Sequence, residues 1–387
     1  MESDKIYLNK NLQIIFSITL MAVLGISSIT PAFPDIIDYF GINKSEVGLL
    51  ITAFTLPGIV ITPFMGILAD RYGRKVILIP SLVLFALAGS VIVFLDDFTL
   101  ILVFRFLQGM GSASLGSLNA TIISDLFHGR DRVSAMGVNS SVLSIGTAAY
   151  PAIGGSIALL GWKFVFFLPL LALPVAYVSM KFLDTNYEKK EQHLKDYLKE
   201  TLSNILKPNV IVLFIASIVT FIILFGAYLI YFPILLNDHF DASSFDIGVM
   251  MSLMSLTTAG VSFNMGRISK ILTPKNSVIT GFLLYGISLL LLPLMPNYYM
   301  IALPVLIFGF AQGINMPSLF TLIADYSPKS QRAAFMSING TVLRIGQTLG
   351  PVLTGWFYAA GELNLFFVLS TLFLCIILGI IFYYLKH

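Results

Sequence analysis

The sequence predicts an all-α membrane protein, twelve transmembrane helices in two pseudo-symmetric six-helix bundles, and three observations lead there. The first is composition: 57% of the 387 residues are apolar and 11% are charged, with a mean hydropathy of +0.89. A soluble domain carries about 25% charged and about 45–50% apolar residues, so this chain lacks the polar surface that water requires. The second is that apolar windows long enough to cross a bilayer, ~20 residues, recur twelve times. The third is that the chain's second half repeats the first.

The windows begin near Leu12, Glu46, Lys75, Leu100, Arg132 and Trp162, and then near Val210, Ser243, Asn276, Tyr298, Arg332 and Leu363. They are continuous rather than alternating, which excludes a closed β-barrel. Between the two sets runs a polar, Lys-rich stretch. The expected organisation is therefore a bundle over 1–183, a linker over 184–209 and a second bundle over 210–387. Within the linker, Leu194 to Leu206 reads either as an amphipathic piece lying at the membrane interface or as a solvated tether.

The repeat has a fixed register. Val138-Asn-Ser-Ser-Val-Leu-Ser-Ile-Gly146 aligns with Ile338-Asn-Gly-Thr-Val-Leu-Arg-Ile-Gly346, an offset of 200 residues. The same offset pairs Asp125 with Asp325, Arg132 with Arg332, Pro151 with Pro351, and Met65-Gly66 with Met265-Gly266. Parallel repeats about an axis along the membrane normal place a binding site near the midplane, between the halves.

Charge sets the orientation. Of the 23 Lys and Arg, 19 fall on the side that holds both termini, Lys44 and Lys163 fall on the other, and Arg105 and Arg344 lie within spans. That bias predicts a multi-pass protein of the plasma membrane with both ends cytoplasmic. A net charge of +3 gives no reason to expect nucleic acid, and the single cysteine, Cys375, excludes a disulfide or a thiolate cluster within the chain. The short, mixed-charge N-terminus shows no small-residue cleavage site and reads as the start of a retained helix.

One stretch organises the first half: Gly66-Ile-Leu-Ala-Asp70-Arg71-Tyr-Gly73-Arg74-Lys75, between two long apolar runs. Its glycines allow a tight helix-to-helix turn, and Asp70 can accept from the N-terminus of a neighbouring helix. This stretch resembles the G-x-L-a-D-r-x-G-r-k signature of the major facilitator superfamily of transporters. The resemblance implies a conformational latch of Gly66, Asp70, Arg71, Gly73 and Arg74, with an arginine pairing to an acid that ends the fourth helix. Asp125 occupies that place. For Arg71, Arg74 and Lys75, a simple role as topology anchors stands beside it. In the second copy Lys270 replaces Asp70, so the first half is expected to carry the stronger latch.

Two more stretches carry the resemblance. Arg105-Phe-Leu-Gln108-Gly109-Met-Gly111 is similar to the superfamily's fourth-helix motif, whose arginine is linked to proton coupling near a first-helix acid. Here none of the 20 acids falls at mid-membrane depth, and the first acid of helix one is Asp35, near the outer edge. Asp35, reached by Arg105 directly or through water, is the expected proton site; a surface cap is the other reading. Gly146-Thr-Ala-Ala-Tyr150-Pro151-Ala-Ile-Gly154-Gly155 resembles the fifth-helix antiporter motif, with Tyr150 in place of a glycine. In the family that motif marks exporters; read on its own it marks tight, bendable packing.

Arg344 is the least expected residue. It lies 12 residues beyond Arg332, or ~18 Å along a helix, near the middle of a ~30 Å hydrocarbon core. A cation there faces the bundle interior. It serves either to bind an anionic substrate or to bond the carbonyls of a kinked helix. Gln108, Asn119, Tyr228, Gln312, Asn315 and Gln347 are further expected cavity residues, on helices that surround the cavity in the family.

The resemblance thus implies a twelve-helix transporter of the drug:proton antiporter branch. It would act as a monomer without cofactor or metal and export a small amphipathic compound against a proton flow. Transport or exchange of an organic anion through Arg344 is the alternative. A membrane-embedded enzyme would need a nucleophile–base or metal set, but His128, His193, His239 and His387 lie outside the spans with no acid beside them at depth. No nucleotide-binding loop is present to use ATP.

Overall fold

Lipid offers the backbone no hydrogen-bond partner, so each span must satisfy its own amides as a helix. The computed structural model describes residues 3–184, 206–328 and 332–359, with Phe367 and Ser370. Long helices fill these ranges: α1 (Lys10–Phe40), α2 (Leu49–Tyr72), α3 (Arg74–Phe94), α4 (Phe98–Leu126), α5 (Gly129–Ala158) and α6 (Trp162–Phe182) in the first half. The second half holds α7 (Pro208–Phe240), α8 (Ser244–Phe263), α9 (Pro274–Leu294), α10 (Tyr298–Tyr326) and α11 (Arg332–Ala359). Each begins within about three residues of its expected start. The twelfth expected helix, near Leu363, and nearly all of the expected Leu194–Leu206 linker piece lie outside the described residues.

Polar residues set the helix ends. Asn9 caps α1 by accepting from the amides of Asn11 and Leu12, Asp97 caps α4 through Leu100, and Asn297 caps α10 through Met300. Ser243 and Asp246 exchange bonds in a capping box at the start of α8. Gly73 alone joins α2 to α3; its φ of +100° is one that side-chain-bearing residues rarely adopt. Three helices are irregular within their length, and α6 is a 3-10 helix over Trp162–Leu171. α1 passes through a 3-10 turn at Thr30–Ala32, with Pro31 inside it and Pro34 just after it, both of which remove amide donors. The middle of α7, Ile223–Tyr231, is a π-helix.

The sequence repeat is a repeat of packing. In the first half α4 packs on α2 and α3, and α1 packs on α5; in the second, α10 packs on α8 and α9, and α7 packs on α11. Equivalent bonds recur at the offset of 200: the Thr62 hydroxyl donates to the Ala113 carbonyl at 3.0 Å, and the Ser262 hydroxyl to the Gly313 carbonyl at 3.1 Å. Glycines let these helices approach to backbone contact. A Cβ on Gly109 would sit on the Phe54 carbonyl, and one on Gly309 would press the Met254 carbonyl at 2.6 Å. Without a hydrophobic drive between helices in lipid, such close contact is what holds them together.

The halves meet through α2 with α11 and through α5 with α8. Their contacts gather at the end that carries Ser45. There Lys44 pairs with Asp238, and the Ser244 hydroxyl donates to Asp35. The Thr52 hydroxyl donates to the Thr348 carbonyl at 3.3 Å, and the Thr348 hydroxyl to Thr55 at 2.9 Å. Toward the other end, which carries Gly73, the helices part: a Cβ on Gly137, Gly260 or Gly266 would meet nothing within 4 Å.

This packing predicts opposite outcomes for two glycines. Gly109→Val forces α2 off α4 and should cost about 3 kcal/mol or more, measured by reversible unfolding in mixed detergent micelles. Gly137→Ala should stay within about 0.5 kcal/mol of wild type in the same measurement.

Candidate functional site

Between the halves lies a cavity of about 580 Å³; cross-half contacts close the seam at the Ser45 end, and the helices part toward the Gly73 end. Its walls come from both halves: α1, α2, α4 and α5 on one side, α7, α8, α10 and α11 on the other. Most of the lining is apolar and deformable, with Phe54, Phe221, Phe225, Met251 and Met254 as the large contributors. Phe221 and Phe225 stack with ring centroids 5.6 Å apart. Phe225 lies in the π-helical part of α7. There Gly226 allows α11 so near that a Cβ would meet the Gly350 carbonyl at 2.8 Å. The wider π turn re-aims the flanking side chains into the cavity.

The polar groups on these walls are few. Arg344, Gln347 and Gln312 line the cavity with several serines and threonines, and no carboxylate does so among the described residues. The Arg344 side chain lies flat against α2 at Gly58, where a Cβ would come within 3.2 Å of its Cδ and 3.3 Å of its Nε. Among the described residues its guanidinium has no hydrogen-bond or ion-pair partner. Gln312 accepts from the Tyr285 hydroxyl, and the Gln347 Oε1 is buried without a donor.

Other residues expected at the cavity lie away from it. Gln108 accepts from Arg105 at 2.8 Å, and Asn119 donates to the Thr19 hydroxyl at 2.7 Å. Asn315 donates to Thr220 at 2.8 Å, and Tyr228 is stacked between Phe232 and Phe308. A buried amide in a low-dielectric bundle takes the nearest helix as its partner, which turns these groups inward between helices.

The expected Arg105–Asp35 meeting does not occur. Arg105, 1% exposed, donates to the carbonyls of Leu50 at 3.1 Å and Gly25 at 2.9 Å, and lies 4.4 Å from the centre of the Phe54 ring. It therefore ties α4 to α1 and α2. Asp35 sits at the Ser45 end and is bonded across the seam to Ser244 of α8. Two backbone carbonyls and the Gln108 amide oxygen, in place of an acid, accept from Arg105, while its Nη2 is buried without a partner among the described residues.

At the Gly73 end, the Arg74 Nε donates to Asp125 at 3.0 Å, joining the start of α3 to the end of α4. Arg71 lies near the Tyr72 ring and also has other interactions. The side chain of Asp70 and the surroundings of Gly66 lie outside the described residues. Along α5, Gly146 presses on Leu20 and Val23 of α1, Gly154 on the Ser28 carbonyl, and Gly155 on the Ser244 carbonyl of α8. Pro151 lines the cavity, and its carbonyl receives Gly248 of α8. The sequence leads to an apolar wall of aromatics and methionines as a class but singles out neither Gly58 nor any individual Phe or Met. In a chain that is 57% apolar they carry no contrast, although the change from Thr258 to Gly58 between the repeats was readable.

Comparison with known proteins gives consistent matches over the chain. A family model described as Major Facilitator Superfamily matches residues 15–271 and 213–387. Multidrug resistance protein 2 of Bacillus subtilis (strain 168) is 26% identical over 353 residues, 88% of this chain and 87% of the relative. The bacillibactin exporter of the same organism is 28% identical over 358 residues, 88% of each chain. Among solved structures, a bacterial homolog of the human lysosomal transporter Spinster, inward-facing and unoccupied, superposes with a TM-score of 0.83 at 18% identity. That match covers 96% of this chain and 95% of the other.

The Arg74–Asp125 pair is partly shielded, so Arg74→Gln and Asp125→Asn should be non-additive. A double-mutant cycle on stability should return a coupling of about 1 kcal/mol, and strict additivity would remove the pair from the latch.

Proposed function

The chain belongs to the major facilitator superfamily, and on that premise we propose that it exports small amphipathic compounds by alternating access, driven by the proton gradient. The observation that carries this reading is the cavity at the seam of two repeated halves, open at one end and sealed at the other. A cavity so placed changes sides when the halves rock about it. Its aromatic and methionine walls suit apolar cargo of varied shape. The names of the two relatives, one for multidrug resistance and one for siderophore export, support export as the direction.

In this reading the protein is a multi-pass protein of the plasma membrane, with both termini and the Gly73 end in the cytoplasm. The excess of Lys and Arg on that side supports the orientation. Residues 1–183 and 210–387 then form the two rocking bundles joined by the 184–209 linker. A single chain suffices, because one chain supplies every wall of the cavity.

The roles divide by position. Gly146, Pro151, Gly154 and Gly155 form the α5 face of the outer seam. Gly66, Asp70, Arg71, Gly73, Arg74 and Asp125 form the cytoplasmic latch. Arg105 is the rivet that keeps α1, α2 and α4 moving as one body, transmitting the proton's effect. Asp35 is the proton site: as a carboxylate it holds Ser244 across the seam, and protonation removes the charge that strengthens that bond. Gln108, Asn119, Tyr228 and Asn315 keep each bundle rigid while Arg344, Gln312 and Gln347 meet the cargo.

Two experiments test this. In proteoliposomes with an imposed pH gradient, wild-type protein should move an amphipathic substrate uphill, and a protonophore should abolish the movement. Asp35→Asn should lose gradient-driven accumulation while retaining downhill exchange; full accumulation by this variant would refute Asp35 as the proton site. A Cβ on Gly355 would lie 3.7 Å from the Cβ of Ser45, within the range a disulfide spans. Ser45→Cys with Gly355→Cys, in a Cys375→Ser background, should therefore lock the outer seam and stop transport until a reductant is added. Transport unaffected by oxidation would contradict alternating access.

A further inference from the structure

We infer that the cavity is built for cargo bearing an acid group, held by Arg344 in a subsite that exists because residue 58 is glycine. This rests on the proposed export function and names the chemistry of its cargo.

The repeat is asymmetric at this place. At the offset of 200, Gly58 corresponds to Thr258 and Ser144 to Arg344. The two seams between the halves are otherwise alike, α2 on α11 and α5 on α8. In the α5–α8 seam Thr258 bonds to the carbonyls of Met254 and Gly309, and Ser144 to that of Ser140, so both hydroxyls are spent within their own half. In the α2–α11 seam the threonine side chain is absent, and the arginine fills the space above Gly58, its Cζ 3.4 Å from where a Cβ would stand. The glycine leaves no hydroxyl there to bond the guanidinium. One seam closes its polar groups on itself, while the other presents a cation to the cavity.

Among the described residues that cation lacks the partners that an arginine inside the membrane normally has. Arg105 shows the ordinary solution in this same protein, with two carbonyls and a glutamine around its guanidinium. Arg344 has none of these, and no acid lines the cavity to neutralise it among the described residues. A cation at mid-membrane depth, half-buried against low-dielectric walls and without a counter-charge, attracts an anion that enters the cavity beside it. A guanidinium fork matches a carboxylate with two parallel bonds.

The neighbours refine the cargo. Gln347 lies one turn from Arg344 on α11, and its buried Oε1 has no donor; a hydroxyl or N–H next to the acid group would supply one. Gln312 spends its carbonyl on Tyr285, which leaves its NH2 for the cargo. Phe54, Phe221 and Phe225 receive a flat apolar body. The cargo class is an aromatic amphiphile with one carboxylate or similar acid and an adjacent hydrogen-bond donor.

The test uses three probes of one shape and different charge: 2-naphthoate, 2-naphthamide and protonated 2-naphthylmethylamine. Their binding is measured by calorimetry on the full chain in lipid nanodiscs. Wild type should prefer the naphthoate to the amide by tenfold or more and bind the ammonium least. Arg344→Gln should erase that preference while leaving the amide's affinity within about twofold, and Arg344→Lys should restore part of it. Gly58→Val, which keeps the arginine but displaces it, should weaken the naphthoate selectively. Equal affinity for the three probes, preference for the ammonium, absence of any binding, or an unchanged preference in Arg344→Gln overturns the subsite. Transport separates this from the export reading. Gradient-driven movement of cationic or neutral compounds with no anion preference retains export and removes the subsite. Arg344-dependent anion binding without any transport keeps the subsite and removes export.

Discussion

Backbone contact at the seam between α5 and α8 is the constraint on which the rest of this structure depends. Gly155 lies on the Ser244 carbonyl and Gly248 on the Pro151 carbonyl, so two helices from different halves touch without side chains between them. In lipid, apolar side chains gain nothing by leaving one hydrocarbon for another, and association comes from dispersion and close fit. The α2–α11 seam adds Gly48 against Pro351 at the same end. Once the halves are pressed together there, they diverge toward the Gly73 end, and the space they leave is the cavity.

The two arginines inside the membrane show how the protein uses charge. Arg105 bonds to two backbone carbonyls and a glutamine and so ties α4 to α1 and α2. Arg344 is held in place by the shape of Gly58 and left open toward the cavity. A sequence reading weighs both as cations at depth; their surroundings differ, one bonded between helices and the other lining the cavity. The missing mid-membrane acid fits the proposed division of roles, with Arg344 kept for cargo and Asp35, bonded to Ser244 at the seam, for the proton.

Much of the fold was legible in the sequence because it rests on signals that survive in one dimension. Hydropathy marked the helices, Gly73 marked the turn between α2 and α3, and the 200-residue offset recurs in the matched bonds of Thr62 and Ser262. The site was less legible. Gln108, Asn119 and Asn315 are polar and deep, yet they face neighbouring helices, and nothing in an evenly apolar helix says which face meets a cavity. The weak amphipathic contrast of such helices hides their rotation. The π turn of α7 depends on how closely Gly226 meets α11, a tertiary fact. Arg105 and Asp35 were joined by analogy with a pairing that this chain replaces with carbonyls.

The central claim is that one body of helices rocks on another about a fixed cavity, opening one end as the other closes. Distances between spin labels at each end test it most directly. One pair would sit at Asp38 and Asp241 near the sealed end, the other at His128 and Lys270 near the open end; all four side chains are exposed. The account predicts that conditions driving transport lengthen the first distance and shorten the second, within one population of molecules. If both distances stay fixed, or both change in the same direction, the halves do not rock and the account fails.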